Sequence, residues 1–152
     1  MSARLARWLG WLLLLGAGTP ALANTALFDQ IEAKSGKPLP LEQRYQITKA
    51  IKAYSDLLRD RDELLVNEAT RLTGLPPQQI LVLAQQGGML LPRVEALLKR
   101  KLPAGDAQQL RAAEAAYKTA LQVAREKLIS RMAAQGGLSP QAVVELLPKF
   151  GL

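Results

Sequence analysis

Displaced along itself by sixty-three residues, this sequence meets itself without a gap. Residues 27–89 then lie against residues 90–152, and eighteen of the sixty-three positions are identical. Average composition gives about one in fifteen. The identities include Ala53-Tyr54 with Ala116-Tyr117, and Gly74, Leu75, Pro77 and Gln78 with Gly137, Leu138, Pro140 and Gln141. Two helices rich in Ala and Leu could match by composition, but composition does not place Pro and Gly in phase. The period reads as one helical module written twice. Each copy alone is too small to bury both sides of its own apolar elements. The expected fold is therefore an all-α helical bundle, made of two tandem helix–long helix–short helix repeats about a pseudo-two-fold axis.

Ahead of the repeat, Arg4 and Arg7 precede an apolar run from Trp8 to Leu15, then Gly16, Gly18, Pro20 and Ala21-Leu22-Ala23. This is the three-part pattern of a cleaved secretory signal peptide over residues 1–23. The apolar run is shorter than the roughly twenty residues that span a bilayer. Cleavage leaves residues 24–152 as a single helical domain, exported to the periplasm of a Gram-negative source and otherwise secreted. That segment holds 18 basic and 13 acidic residues, with no Cys and no His. Disulfides and thiol or imidazole metal ligands are excluded, and apolar burial has to hold the fold.

Within the repeats, Thr25 is the expected cap of a first helix that Gly36 ends. Lys37-Pro38-Leu39-Pro40 connects it to an unbroken stretch from Leu41 to Thr73. Ile47, Ile51, Tyr54, Leu58, Leu65 and Leu72 make its apolar stripe, widened by Leu57 and Leu64. Arg61 and Glu68 interrupt that stripe and are candidates to pair with Glu126 or Arg131. Gly74 ends the helix, and Pro76-Pro77 lead into a third over Gln78–Gln86. In the second repeat Pro92 suits a first helical position. Lys99-Arg100-Lys101 suits a helix end, and Asp106 with Gln109 suits a capping box. The second long helix is rich in Ala (Ala112, Ala113, Ala115, Ala116, Ala120, Ala124) and is the expected inner element. Ser139 caps the last helix, which Pro140 opens. Tyr54 and Tyr117 should occupy equivalent places.

The chemistry is bounded by what is missing. Without His or Cys, the usual nucleophile–base pairs have no members. Asp56, Asp60, Asp62 and Glu63 could do carboxylate chemistry. Arg59 and Arg61 interleave with them, as on an exposed, self-paired helix face. Glu63 and Glu126, matched across the repeat, read the same way. No enzyme activity, metal or cofactor is expected. Charge is the remaining hint: repeat one is neutral, with eight residues of each sign, and repeat two carries ten basic against five acidic. Lys99, Arg100, Lys101, Lys118, Arg125 and Arg131 are its candidate binding residues, with Arg111 and Lys127 beside them. In an export compartment they would meet an acidic envelope protein, anionic lipid or lipopolysaccharide. Nucleic acid is not an expected partner, and the oligomeric state is not legible. The expectation is a non-enzymatic binding protein, adaptor or chaperone-like. The alternative is a binder of anionic membrane surface or envelope polymer through repeat two.

Overall fold

A computed structural model of the chain describes residues 20–152, which are all-α. The expected signal segment, residues 1–23, lies outside them but for the helical backbone of residues 20–23. Six helices follow in order: α1 (Pro20–Ser35), α2 (Leu41–Thr73), α3 (Pro77–Gln85), α4 (Leu90–Leu98), α5 (Ala104–Gly136) and α6 (Pro140–Leu146), closed by a 3-10 turn over Leu147–Phe150. No helix among the described residues is long and apolar enough to cross a membrane.

Breakers set the boundaries. Nothing between Leu41 and Thr73 interrupts a helix, so α2 runs its whole 33 residues. Gly74 stops it in the left-handed region at φ 73°, its N–H bonded to Thr70 O at 2.9 Å. The Thr73 hydroxyl donates to Ala69 O at 2.6 Å and accepts from Leu75 N–H at 3.1 Å, which closes the end. Ser139 Oγ caps α6 by accepting from Ala142 N–H at 3.2 Å. Three starts differ from the sequence expectation. Thr25 lies inside α1, because the nearest breaker on its N-terminal side is Pro20, which suits a first helical position. Pro92 is the third residue of α4, where its missing N–H is still an unneeded donor. Asp106 is the third residue of α5, since the helix begins directly after Pro103, with Ala107 N–H on Pro103 O at 2.9 Å. There it favours the positive helix end without capping it.

The starts of α2 and α5 are sixty-three residues apart, as are their ends. So are the ends of α1 and α4, and the starts of α3 and α6. Yet the compact units are not residues 27–89 and 90–152. One unit comprises residues 20–55 with 124–152, and the other residues 56–123. Each takes its first helix, connector and half of a long helix from one repeat. Its other half-helix and its last helix come from the other repeat.

In the first unit the buried side chains include Leu27, Ile31, Leu39, Ile47, Leu128, Met132, Val143 and Leu146. In the second, the positions sixty-three away are all buried too: Leu90, Val94, Leu102, Leu110, Leu65, Ala69, Ile80 and Leu83. The second unit packs these in one cluster with Val66, Leu72, Leu75, Leu91 and Ala107. Gly136 lets α1 and α5 come close in the first unit, since a Cβ there would meet Ile31 Cγ2 at 2.9 Å.

Two expectations about faces are overturned. Leu64 does not widen the stripe; it is 58% exposed. Nor is the Ala-rich helix the inner one: Ala112, Ala115 and Ala116 are exposed, and of the six named alanines only Ala124 is buried. Alanine there supplies helix propensity on a solvent face and leaves the packing to Leu110, Leu128 and Met132.

Candidate functional site

The connectors carry the most specific polar structure. In the first unit Glu32 Oε1 accepts the Leu39 N–H at 2.7 Å, seven residues on. In the second, Glu95 Oε1 accepts the Leu102 N–H at 3.2 Å, the same bond at matched positions. A cation clasps each carboxylate. Arg44 reaches Glu32 at 2.6 Å, donates through Nε to Leu39 O at 3.0 Å, and lies 5.5 Å from the Phe28 ring. Ala107 stands where Arg44 would be matched, and Lys101 from the connector itself takes over, 2.7 Å from Glu95.

The Leu39 N–H and then Arg44 hold the Glu32 carboxyl below the usual carboxylate range. Lys101 and then the Leu102 N–H do so for Glu95. A lowered folded pKa gives stability that is present above the ordinary glutamate pKa, about 4.3, and lost as pH falls through the folded value. The urea midpoint is therefore expected to fall as pH drops below about 4. In a Glu32→Gln/Glu95→Gln double variant the midpoint should depend less on pH over that window. Equal slopes for the two proteins would contradict the assignment.

All six candidate basic residues are exposed, but the structure does not gather them into one compact unit. Lys99, Arg100, Lys101 and Lys118 belong to the second unit, Arg125 and Arg131 to the first. Because the units exchange half-helices, the charge attributed to repeat two is redistributed. Residues 24–55 with 124–152 hold nine basic and five acidic side chains, and residues 56–123 hold nine and eight. Lys101 is committed to Glu95, and Lys118 to Glu114 at 2.9 Å.

Lys99 stands out by its backbone. It closes α4 at φ 53°, ψ 30°, and is the one non-glycine residue in the left-handed region among those described. Its counterpart is Gly36, at φ 68°. Left-handed backbone costs a side chain roughly 1 kcal/mol that glycine does not pay. Lys99→Gly is accordingly expected to raise stability by about 0.5–1 kcal/mol, read from urea unfolding.

The acidic stretch behaves as an exposed, self-paired face. Arg59 lies 3.4 Å from Asp56 and 3.7 Å from Asp60, and Glu63 and Glu126 are both exposed. Glu68 is held by Arg71 at 2.6 and 3.0 Å rather than by Arg131, and Arg61 is exposed. Asp62 departs from that face by accepting the Tyr117 hydroxyl. Tyr117 is thus half-buried while Tyr54 is buried. The residue matched to Asp62 is Arg125, which offers Tyr54 no acceptor.

Two features escaped the sequence reading. One is Glu114, buried in the second unit, where it accepts the Leu90 N–H at 3.1 Å. A lone carboxylate on the stripe of Leu110, Tyr117 and Leu121 was the available signal. The other is a cleft of about 330 Å³ in the first unit, between the Ser35–Pro40 connector, Gln43 and the α5 end at Ala134–Gly137. Small side chains line it: Ala134, Gly136 and Ser35 stand where the second unit has Arg71, Thr73 and Leu98. Arg71 there is tied to Gln109 at 2.8 Å. The cleft offers amides, a hydroxyl and the Lys37 ammonium, but no base–nucleophile pair. Compared with protein-family models, curated proteins and solved structures, the chain matches none of them.

Proposed function

We propose that this is an exported, non-enzymatic binding protein of the cell envelope, adaptor or chaperone-like, built as a duplicated helical module whose copies are related by a pseudo-two-fold axis. The duplication is supported by the recurrence of helix boundaries, buried positions and the Glu32 and Glu95 clasps at one offset. The binding role rests on one observation, the left-handed Lys99 at the head of Lys99-Arg100-Lys101. Glycine serves the fold at the matched Gly36, so a lysine kept there against backbone strain points to a use for its charge. The partner is then an envelope protein with an acidic surface. The test is cross-linking in an envelope extract, comparing the wild-type protein with a Lys99→Gln/Arg100→Gln/Lys101→Gln variant. A partner recovered with the first and lost with the second supports the reading; the same partners with both would refute it.

A second reading places an anionic envelope polymer or lipid at the same turn. It is favoured by Leu97, 47% exposed beside the basic run. Salt-sensitive binding of lipopolysaccharide, lost in the triple variant, would select it.

A further inference from the structure

The 330 Å³ cleft of the first unit has a hydrogen-bonding capacity that can be counted group by group. Its connector wall is already bonded. Ser35 Oγ donates to Lys37 O at 3.2 Å and accepts from Lys37 N–H at 3.4 Å. Leu39 gives its N–H to Glu32 and accepts Arg44 Nε on its carbonyl, while Pro38 and Pro40 have no N–H. That wall is fixed in place, and no N–H of residues 37–40 is left for a ligand. Side chains and a helix end remain. Lys37 and the half-buried Gln43 and Gln135 make no side-chain hydrogen bond or ion pair among the described residues. At the end of α5, Ala133 O accepts the Leu138 N–H at 3.1 Å. The carbonyls of Ala134, Gln135 and Gly136 have no partner within the helix.

We propose that this cleft binds the carboxy-terminal end of a peptide chain. Each amide can donate to a peptide carbonyl and accept from a peptide N–H, and the lysine ammonium can take the terminal carboxylate. Ala134, Gly136 and Gly137 leave room for main chain to approach. Direction follows from the helix end: the negative end of α5 receives N–H groups and repels a carboxylate, so the chain runs from α5 toward Lys37. Other ligand classes fit less well. No carboxylate lines the cleft to offset a metal's charge, and no aromatic ring lines it to stack a sugar or a base. Asp106 and Leu72 stand at the positions matched to Gln43 and Gln135, so the amide pair belongs to the first unit alone. The site is separate from the Lys99–Lys101 turn, which lies in the second unit.

The experiment titrates N-acetyl-trialanine, as the free acid and as the carboxamide, into the full chain and follows the Gly136 and Gly137 amide resonances. The acid should bind about fivefold more tightly than the amide, the upper value for an exposed ion pair. In Lys37→Gln that preference should vanish. Gln43→Ala should weaken both peptides about fivefold, one hydrogen bond's worth. Ala134→Leu should abolish binding with the urea midpoint unchanged, since Ala134 is exposed. The Lys99→Gln/Arg100→Gln/Lys101→Gln variant should bind as the wild type does, so the cleft and the basic turn are tested apart. Trialanine with a free amine distinguishes the sources: equal affinity selects the ends of protein chains, and tighter binding selects free short peptides. Either result supports the site. Four outcomes would overturn it: no shift at Gly136 or Gly137 with any peptide, equal affinity for acid and amide, a preference for the acid that survives Lys37→Gln, or acetate alone binding as tightly as the peptide acid. The last would reduce the cleft to a simple anion site.

Discussion

Truncating Leu110 to alanine is expected to destabilise the protein by about 3–5 kcal/mol, the upper part of the range for a buried leucine. Leu110 is fully buried and sits in a cluster with Leu65, Val94 and Leu102, drawn from three helices and a connector. Removing three carbons forfeits their transfer free energy and leaves a cavity that three separate backbones would have to move to fill. The gain in helix propensity from alanine is only a few tenths of a kcal/mol and offsets little. Ile47 holds the matched place in the first unit and is also fully buried, so Ile47→Ala should cost about 2–5 kcal/mol. Against a typical total of about 5–15 kcal/mol, either change moves a urea midpoint by a large fraction. Leu64→Ala is the control: the same change on a 58% exposed position should fall within about 0.5 kcal/mol. Comparable losses at Leu64 and Leu110 would mean that the assigned core is wrong.

Most of the chain's helices were legible because their boundaries are chemical. Gly36, Gly74 and Gly137 take positive φ where helices end, and Pro77 and Pro140 stand at first positions, so α2 could be bounded to the residue. Pairing in space was not legible. Periodicity says which face of α2 is apolar but not that its halves join different compact units, so a charge count along the repeats is not the charge of either unit. Leu64 and the α5 alanines show the related limit. An apolar or small residue at helical spacing fits either a stripe edge or a solvent face, and only packing decides. Lys99 was visible as charge, whereas its left-handed backbone was not. Nothing in Leu98-Lys99-Arg100 announces positive φ, though alignment with Gly36 does so in retrospect.

Glu114→Ala is expected to cost about 2–3 kcal/mol, and the reason lies in a difference between the repeats. Helix α4 begins at Leu90, so the Leu90 N–H has no partner inside its own helix. Glu114 accepts it at 3.1 Å within a buried setting, a carboxylate at the positive end of a helix. In the first repeat the matched helix reaches back to Pro20, and Leu27 lies well inside it with its N–H satisfied along the axis. No acceptor is needed there, and Ile51 occupies the position matched to Glu114. Removing the carboxylate strands a buried donor, which costs about 1–3 kcal/mol, more when the lost bond was charge-assisted. Glu114→Gln retains an acceptor and should lose less than Glu114→Ala, while Glu114→Ile should lose as much as alanine does. If isoleucine were tolerated at 114 as it is at 51, the Leu90 N–H would not be what the carboxylate serves. The length of α1 against α4 would then explain nothing about where this buried charge stands.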